Sequence, residues 1–535
     1  MEKKHVIIMG AGIGGMAAAH ELSKNDNYKI TIIERSSILG GQCAESNIDR
    51  SIDNEIEDDC DIHNHNNDYT AICWHALSSG YKNFLEILDE LVDASGNKLI
   101  SNLKPLSRFI YAMKDYNHTE MGNAFITKDF RNFGDGFRNL YKRDIPFRDK
   151  VRLYKIYVYA LSISEEHMQR YDAITWNEYT KDLSTDVRRW LVQSTNIFLG
   201  MEYDKLSTYF IFNLLRKHRI FSKLDNKHAF YSFDGSMKKK LFDPWQKHLE
   251  SKGVKFLLNH SISKIYHVDS LTTIASIDVK HGDITKVYTA DIFINAMDIK
   301  SIGHLYPSGQ LSANKLNYLK LHDLSKQVQM HVLYYIPYRL QDDNISPTIL
   351  VLPDSKWFLM IKIEGNIWQT KDCDLLCCAI GLWNIPGING KCAINCTRTE
   401  IANECWAQIL ATQHNLKLST TTVPEWNIWH NFQFNPVTMH LETHEPKFSN
   451  NINTLKLRPH LQDTLLRNLY HATAYAKTET FIYNIEGAAE SGVSVAKLIQ
   501  NIELPKPKLK SKKLIFRITR FVDKIFTKLF ESMRI

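Results

Sequence analysis

The stretch that most limits what this chain can become is Val6 to Gly15, VIIMGAGIGG. Val6-Ile7-Ile8-Met9 is a short unbroken apolar run, the pattern of a strand buried on both faces. It leads straight into Gly10-Ala11-Gly12-Ile13-Gly14-Gly15, a G-x-G-x-x-G placed where a strand hands over to a helix. Gly10 permits the tight turn, Gly12 lets backbone approach a pyrophosphate, and Gly15 lets the helix beginning near Ile13 pack closely on the strand. The first N–H groups of that helix are then available to phosphates.

A second apolar strand, Lys29 to Ile33, ends in Glu34, nineteen residues after Gly15, with Arg35 next. A carboxylate at that place can accept hydrogen bonds from an adenosine ribose, and an acid argues against a 2′-phosphate. Strand, glycine turn, helix, strand and acid in this order define a Rossmann-like α/β dinucleotide fold.

Gly40-Gly41, six residues past Glu34, extends the pattern. The extended form resembles the FAD fingerprint of the phytoene (carotenoid) desaturase and flavin amine oxidase superfamily. That family usually has Arg or Lys next, where this chain has Gln42. Two later blocks resemble the same family in order and spacing. In the middle block, Phe233-Asp234-Gly235 opens a helix, Val254 to Leu258 is a strand, and Asp291 to Ala296 forms a further apolar segment. The resemblance implies that Ile262 contacts adenine through its backbone and that Asn295 and Ala296 lie over the adenosine.

The last block reads Ala472-Thr473-Ala474-Tyr475 and then Ile485-Glu486-Gly487-Ala488, opening a helix that reaches Ile499. By resemblance Glu486, Gly487 and Ala488 belong to the cofactor site. Free N–H groups at Gly487 and Ala488 would steady negative charge on a reduced flavin. The family commonly has Ala-Gly-Asp on the preceding strand. With Ala474 in place of the acid, one contact to the cofactor is expected to be either missing or replaced, with Thr473 and Tyr475 as the candidates to replace it.

The fold class implied is α/β: a Rossmann-like FAD domain, discontinuous in sequence, with an inserted helical and β-sheet substrate domain. The FAD domain takes residues 1–80, 230–305 and 446–503, and the substrate domain 81–229 and 306–445. The function implied is an FAD-dependent oxidoreductase, a desaturase-like dehydrogenase or isomerase that transfers a hydride equivalent from a small lipophilic substrate to flavin, an apolar isoprenoid or lipid first. Amine oxidation is the second reading. A non-enzymatic, membrane-associated dinucleotide-binding scaffold is an alternative of another class. His75, beside Trp74, is the one candidate proton acceptor.

Composition sets outer limits. A chain of 535 residues, 44% hydrophobic, is long enough for two packed domains. Its nine cysteines are an odd number with no paired C-x-x-C, which fits a reducing compartment and neither a disulfide framework nor zinc. The acidic run from Asp53 to Asp61, followed by His63 and His65, matches no recognised ligand spacing, so no metal is expected. No stretch of 18 uncharged apolar residues occurs, and no leader peptide is expected, giving a cytoplasmic body.

The net charge of +7 is misleading as an average, because residues 506–535 carry +8 and the rest −1. Nucleic-acid binding by the body has no support. Residues 504–535 repeat Leu514, Ile518, Phe521, Ile525 and Leu529 at helical steps, with Arg517, Arg520, Lys524 and Lys528 between them. A basic amphipathic helix of this kind fits the surface of an anionic membrane.

Overall fold

The structure, a computed structural model, describes residues 2–47, 69–71, 75–106, 108–113, 116–120, 146–185, 187–188, 195–196, 200–217, 230–268, 272–305, 317–321, 326–327, 330–340, 348–364, 373–412, 418, 421–428, 432–443, 447–481 and 483–502. Five parallel strands form the first sheet: β1 (Lys4–Met9), β2 (Tyr28–Ile33), β3 (Lys255–Leu257), β4 (Ile292–Asn295) and β5 (Leu469–His471). Their spatial order is β3-β2-β1-β4-β5, the doubly wound arrangement. The chain builds outward from β1 on one side and resumes on the other at β4. The switch point therefore lies at the carboxyl ends of β1 and β4, where open α/β sheets bind ligands.

The unbroken apolar run of β1 has a direct structural cause. Side chains alternate along a strand, and β1 feeds two different cores. Val6 and Ile8 pack with α1 (Ile13–Leu22), α2 (Asn83–Glu90) and α3 (Ile485–Ile499). Ile7 and Met9 pack on the opposite face, against the antiparallel strands Ser261–His267 and Ile274–His281. Either face left polar would open one of these cores to water.

α1 and α3 cross so closely that glycine is required at the contact. A Cβ at Gly492 would strike the Gly14 carbonyl and lie 2.8 Å from both Ala17 Cβ and Ala18 N. Alanine ordinarily gains about 1 kcal/mol over glycine inside a helix. Gly492→Ala is nevertheless expected to destabilise the protein by about 2 kcal/mol, because backbone cannot yield to the added methyl. Urea unfolding checks this, and a variant as stable as its parent would mean that the helices stand further apart.

The domain boundary expected at residue 80 does not coincide with the core. Phe84, Leu85 and Leu88 of α2, and then Leu91, Leu99 and Leu103, belong to the same buried cluster as β1 and α1. Phe84, Leu85, Ile87 and Leu88 form the buried face of α2, and the packing fixes what that face lies against.

The second sheet has seven strands. In order these are Glu425–Asn427, His331–Ile336, Asp374–Ile380, Leu359–Ile363, Thr348–Leu352, Arg108–Met113 and Tyr116–Glu120. Helix Arg398–Thr412 covers it, and Cys378 and Cys405 are buried in that core as strand and helix packing. Arg108–Met113 joins Thr348–Leu352 in parallel across more than two hundred residues of chain, a pairing no local pattern announces. Helices Phe147–Ser162 and Thr208–Lys217 pack together in a further cluster with Trp176 and Met201.

Candidate functional site

The glycine turn sits at the switch point. The Gly10 N–H donates to Ile33 O at 2.8 Å, and its φ of 109° with a would-be Cβ 2.8 Å from Ala296 O restricts the position to glycine. A Cβ at Gly15 would enter the Gly10 carbonyl, and one at Gly14 the Ala472 carbonyl. Gly12 is different. Its φ is −73°, and the nearest atoms to an added Cβ, Gly40 O and Gly41 Cα, are at an ordinary 3.9 Å. Packing and backbone strain therefore leave glycine at position 12 unexplained, and a methyl would fill a cradle between Gly12 and Gly40-Gly41.

α1 begins at this cradle with Gly12 as its N-cap, no side-chain cap and no acidic residue in its first turn. Its first N–H groups carry the positive end of the helix dipole into the cradle, an arrangement suited to phosphate. Gly40 N–H donates to Ala11 O at 3.0 Å, bringing the second glycine pair onto the first.

At the end of β2, Glu34 is buried. Its Oε2 accepts from the Ala11 N–H at 2.8 Å and its Oε1 from the Ser36 N–H at 2.9 Å, so the acid braces the glycine turn. Arg35 reaches across the sheet edge to Ser301 Oγ (3.2 Å) and lies 3.8 Å from Asp298. Ile262 is on the strand that begins just after His260 N–H bonds the Glu34 carbonyl at 2.9 Å. Ala296 backs directly on Gly10. The Asn295 side chain is turned into the protein: its Nδ2 meets His471 Nδ1 (3.1 Å) and Tyr475 Oη (3.0 Å), and its Oδ1 accepts from Met297 N–H at 3.1 Å.

Three expectations for the flavin end need correcting. The Gly487 N–H donates to Asn484 Oδ1 at 2.9 Å and the Ala488 N–H to Asn484 O at 3.0 Å, so neither is free. An asparagine cap at the helix start accounts for this. The Glu486 carboxylate caps α2 instead of facing the cleft: Oε1 accepts from Asn83 N–H and Nδ2, both at 2.9 Å, and Oε2 from Phe84 N–H at 3.0 Å. Tyr475, a candidate to replace the missing acid, donates inward to Met297 O at 3.1 Å. Gln42 accepts from Tyr483 Oη at 2.8 Å.

Between this cleft and the second sheet lies a polar cluster that sequence reading missed. Lys362, 2% exposed, donates to Ser232 Oγ at 2.7 Å and pairs with Glu364 at 2.5 Å. Glu45, also buried, accepts from Ser236 Oγ at 2.6 Å and from Lys238 N–H at 3.2 Å. The signal available was a single lysine inside the apolar run Leu359 to Ile363. Half-buried His75 adjoins this cluster. Burial, then the Lys447 and Lys362 charges, holds its pKa down to about 4, so the ring is neutral at pH 7. Burial pushes Glu45 up to about 7, with the Glu364 charge adding to the rise. A group with a pKa near the working pH can hold or release a proton more readily than one at 4. Glu45 therefore suits that task better than His75, the candidate expected from sequence.

Glu45 also has a consequence for stability. Its folded pKa lies above the ordinary 4.5, so the folded state holds a proton that the unfolded state has lost. This residue's contribution falls as pH rises from about 4.5 to 7 and levels off above. Glu45→Gln is expected to remove that slope, gaining on the parent by about 2 kcal/mol between pH 5 and 8. Melting curves at the two pH values test the sign.

Among the described residues, His20, Glu21 and Glu90 place ligand atoms within 4.8 Å of one another. Lys24 Nζ already lies 2.7 Å from Glu21 and 2.6 Å from Glu90, supplying the cation. The 53–65 stretch, Trp74 and the tail from 504 onward lie outside the described residues.

Residues 8–91 match the model of the NAD(P)-binding Rossmann-like domain. Zeta-carotene desaturase of Synechocystis sp. is 32% identical over 92 residues, which is 16% of this chain and 19% of the desaturase. An oxidoreductase from Methanosarcina mazei superposes with a TM-score of 0.59 at 13% identity, covering 92% of this chain and all of the other. Cyclohexylamine oxidase from Brevibacterium oxydans gives 0.58 at 14% identity, over 93% of this chain and 99% of that enzyme. The overall fold is thus shared with these solved oxidoreductases. The structural correspondence extends over 92–93% of the chain, far beyond the 92 residues of sequence identity.

Proposed function

We propose that the chain is an FAD-dependent oxidoreductase whose substrate lies between the glycine cradle and the seven-stranded sheet. The carrying observation is Gly12, where the protein's own packing leaves a cradle beside an uncapped helix start. When bound there, FAD would accept a hydride equivalent from a substrate carbon. Gly12, Gly41 and the start of α1 would hold its pyrophosphate, and Glu34 its ribose. The chain's own residues exclude water through the two sheets and keep a proton-holding carboxyl at Glu45.

A lipophilic substrate, an isoprenoid or lipid, is the first reading. The apolar cap cluster around Phe210 and Phe212 and the likeness to a carotene desaturase support it. Amine oxidation is the second, favoured by the two buried carboxylates Glu45 and Glu364 and the likeness to cyclohexylamine oxidase. The test is the visible spectrum of purified full-length protein, followed by chromatography of any cofactor released on denaturation. Flavin bands with FAD in the supernatant are expected. A colourless protein that takes up no added FAD would sink the enzyme reading and favour a binding scaffold. The basic amphipathic stretch 506–535 is included in this proposal as a peripheral anchor on an anionic membrane.

A further inference from the structure

Four large apolar side chains stand in water on two adjoining turns of the substrate domain: Ile385 (44% exposed), Ile388 (55%), Val437 (89%) and Met439 (56%). The first turn, Ile385 to Lys391, is closed by Gly387 N–H to Lys391 O at 2.8 Å and by the bridge between Pro386 and Cys392. The second joins the paired strands Phe432–Asn435 and His440–Thr443. Asn395 ties the two together, its Nδ2 donating to Met439 O at 2.9 Å and lying 2.9 Å from His440 Nδ1. Neither turn needs these side chains for its own geometry: Asn435 Oδ1 holds the second by accepting from Val437 N–H at 2.9 Å.

We propose that these two turns dip into the interfacial region of a lipid membrane. Four side chains on two turns make a smaller patch than the ~800 Å² that a stable protein contact takes from each partner. Turn tips bearing bulky aliphatic groups, with polar residues such as Asn389, Thr438 and Lys391 among them, fit the headgroup boundary, where apolar ends bury and polar neighbours stay hydrated. The sequence supplies a second and independent signal in the basic amphipathic stretch 506–535. Stable peripheral binding commonly takes two such signals, one apolar and one electrostatic. The two predict different dependences: the basic stretch weakens in salt, whereas the apolar turns do not.

The experiment is flotation of the full-length chain with phosphatidylglycerol/phosphatidylcholine vesicles, in low and in high salt. Replacing all four side chains by serine is expected to lower partitioning at least tenfold in both, while Val437→Trp with Met439→Trp raises it several-fold. Ile284→Ser with Val287→Ser, which removes comparably exposed apolar groups from the edge strand Ile284–Tyr288, is expected to leave partitioning unchanged. Thermal melting confirms that each variant folds, since exposed substitutions of this kind shift stability little. The proposal is overturned if the parent chain stays with the soluble fraction, if the serine variant floats like the parent, or if the edge-strand control falls equally. Each result is independent of whether the protein carries flavin.

Discussion

Gly12→Ala is expected to fold and melt like its parent and to bind FAD at least about a hundredfold more weakly, equivalent to ~2.7 kcal/mol. The asymmetry is the informative part. A methyl at Gly12 meets nothing nearer than 3.9 Å within the protein, and its φ of −73° is open to any residue. The added group therefore costs the empty protein nothing in packing or strain. It occupies the space a pyrophosphate needs to reach the first N–H groups of α1, where contact is through backbone and tolerates no side chain. Flavin fluorescence titration against apoprotein reads the affinity, and thermal melting reads the fold. Gly14→Ala is the contrast: its methyl enters the Ala472 carbonyl, so stability itself should fall. If Gly12→Ala bound FAD as tightly as the parent, the cradle would not be the phosphate site.

Lys362→Met should cost about 3–5 kcal/mol of stability. Lys362 and Glu364 are 2% and 5% exposed, and the substitution strands the carboxylate in the wall between the two sheets. The double variant Lys362→Met with Glu364→Gln is expected to recover most of the loss, because replacing a buried pair by neutral groups removes both desolvation costs together. Urea unfolding of the single and double variants gives the coupling directly. A single variant within 1 kcal/mol of the parent would mean that water or another group relieves the charge. If the double variant keeps its stability and its flavin but loses turnover, the pair serves the reaction as well as the fold.

Glu486 and Lys362 illustrate opposite limits of what the amino-acid order reveals. Glu486 lies in a glycine-led helix start whose position and length were legible, from Ile485 to Ile499. The carboxylate's task was not, since it caps a helix 402 residues earlier at Phe84. Lys362 was visible only as an interruption in an apolar strand, and its partner Ser232 stands 130 positions away. Asn295 ends β4 as expected, yet its amide joins His471 and Tyr475 inside the protein.

By itself the sequence determined the elements whose causes are local: the β1 run, the glycine turn, the start of α1, the β2 strand and Glu34. Hydrophobic period, turn chemistry and chain stereochemistry act over a few residues, so they can be read in order along the chain. Tertiary structure alone decided the joining of Arg108–Met113 to the second sheet, the inclusion of α2 in the first core and the meeting of Glu45, Lys362 and His75. Periodicity states that a face is buried. What it is buried against depends on packing and hydrogen bonding among segments hundreds of residues apart, which no local pattern records.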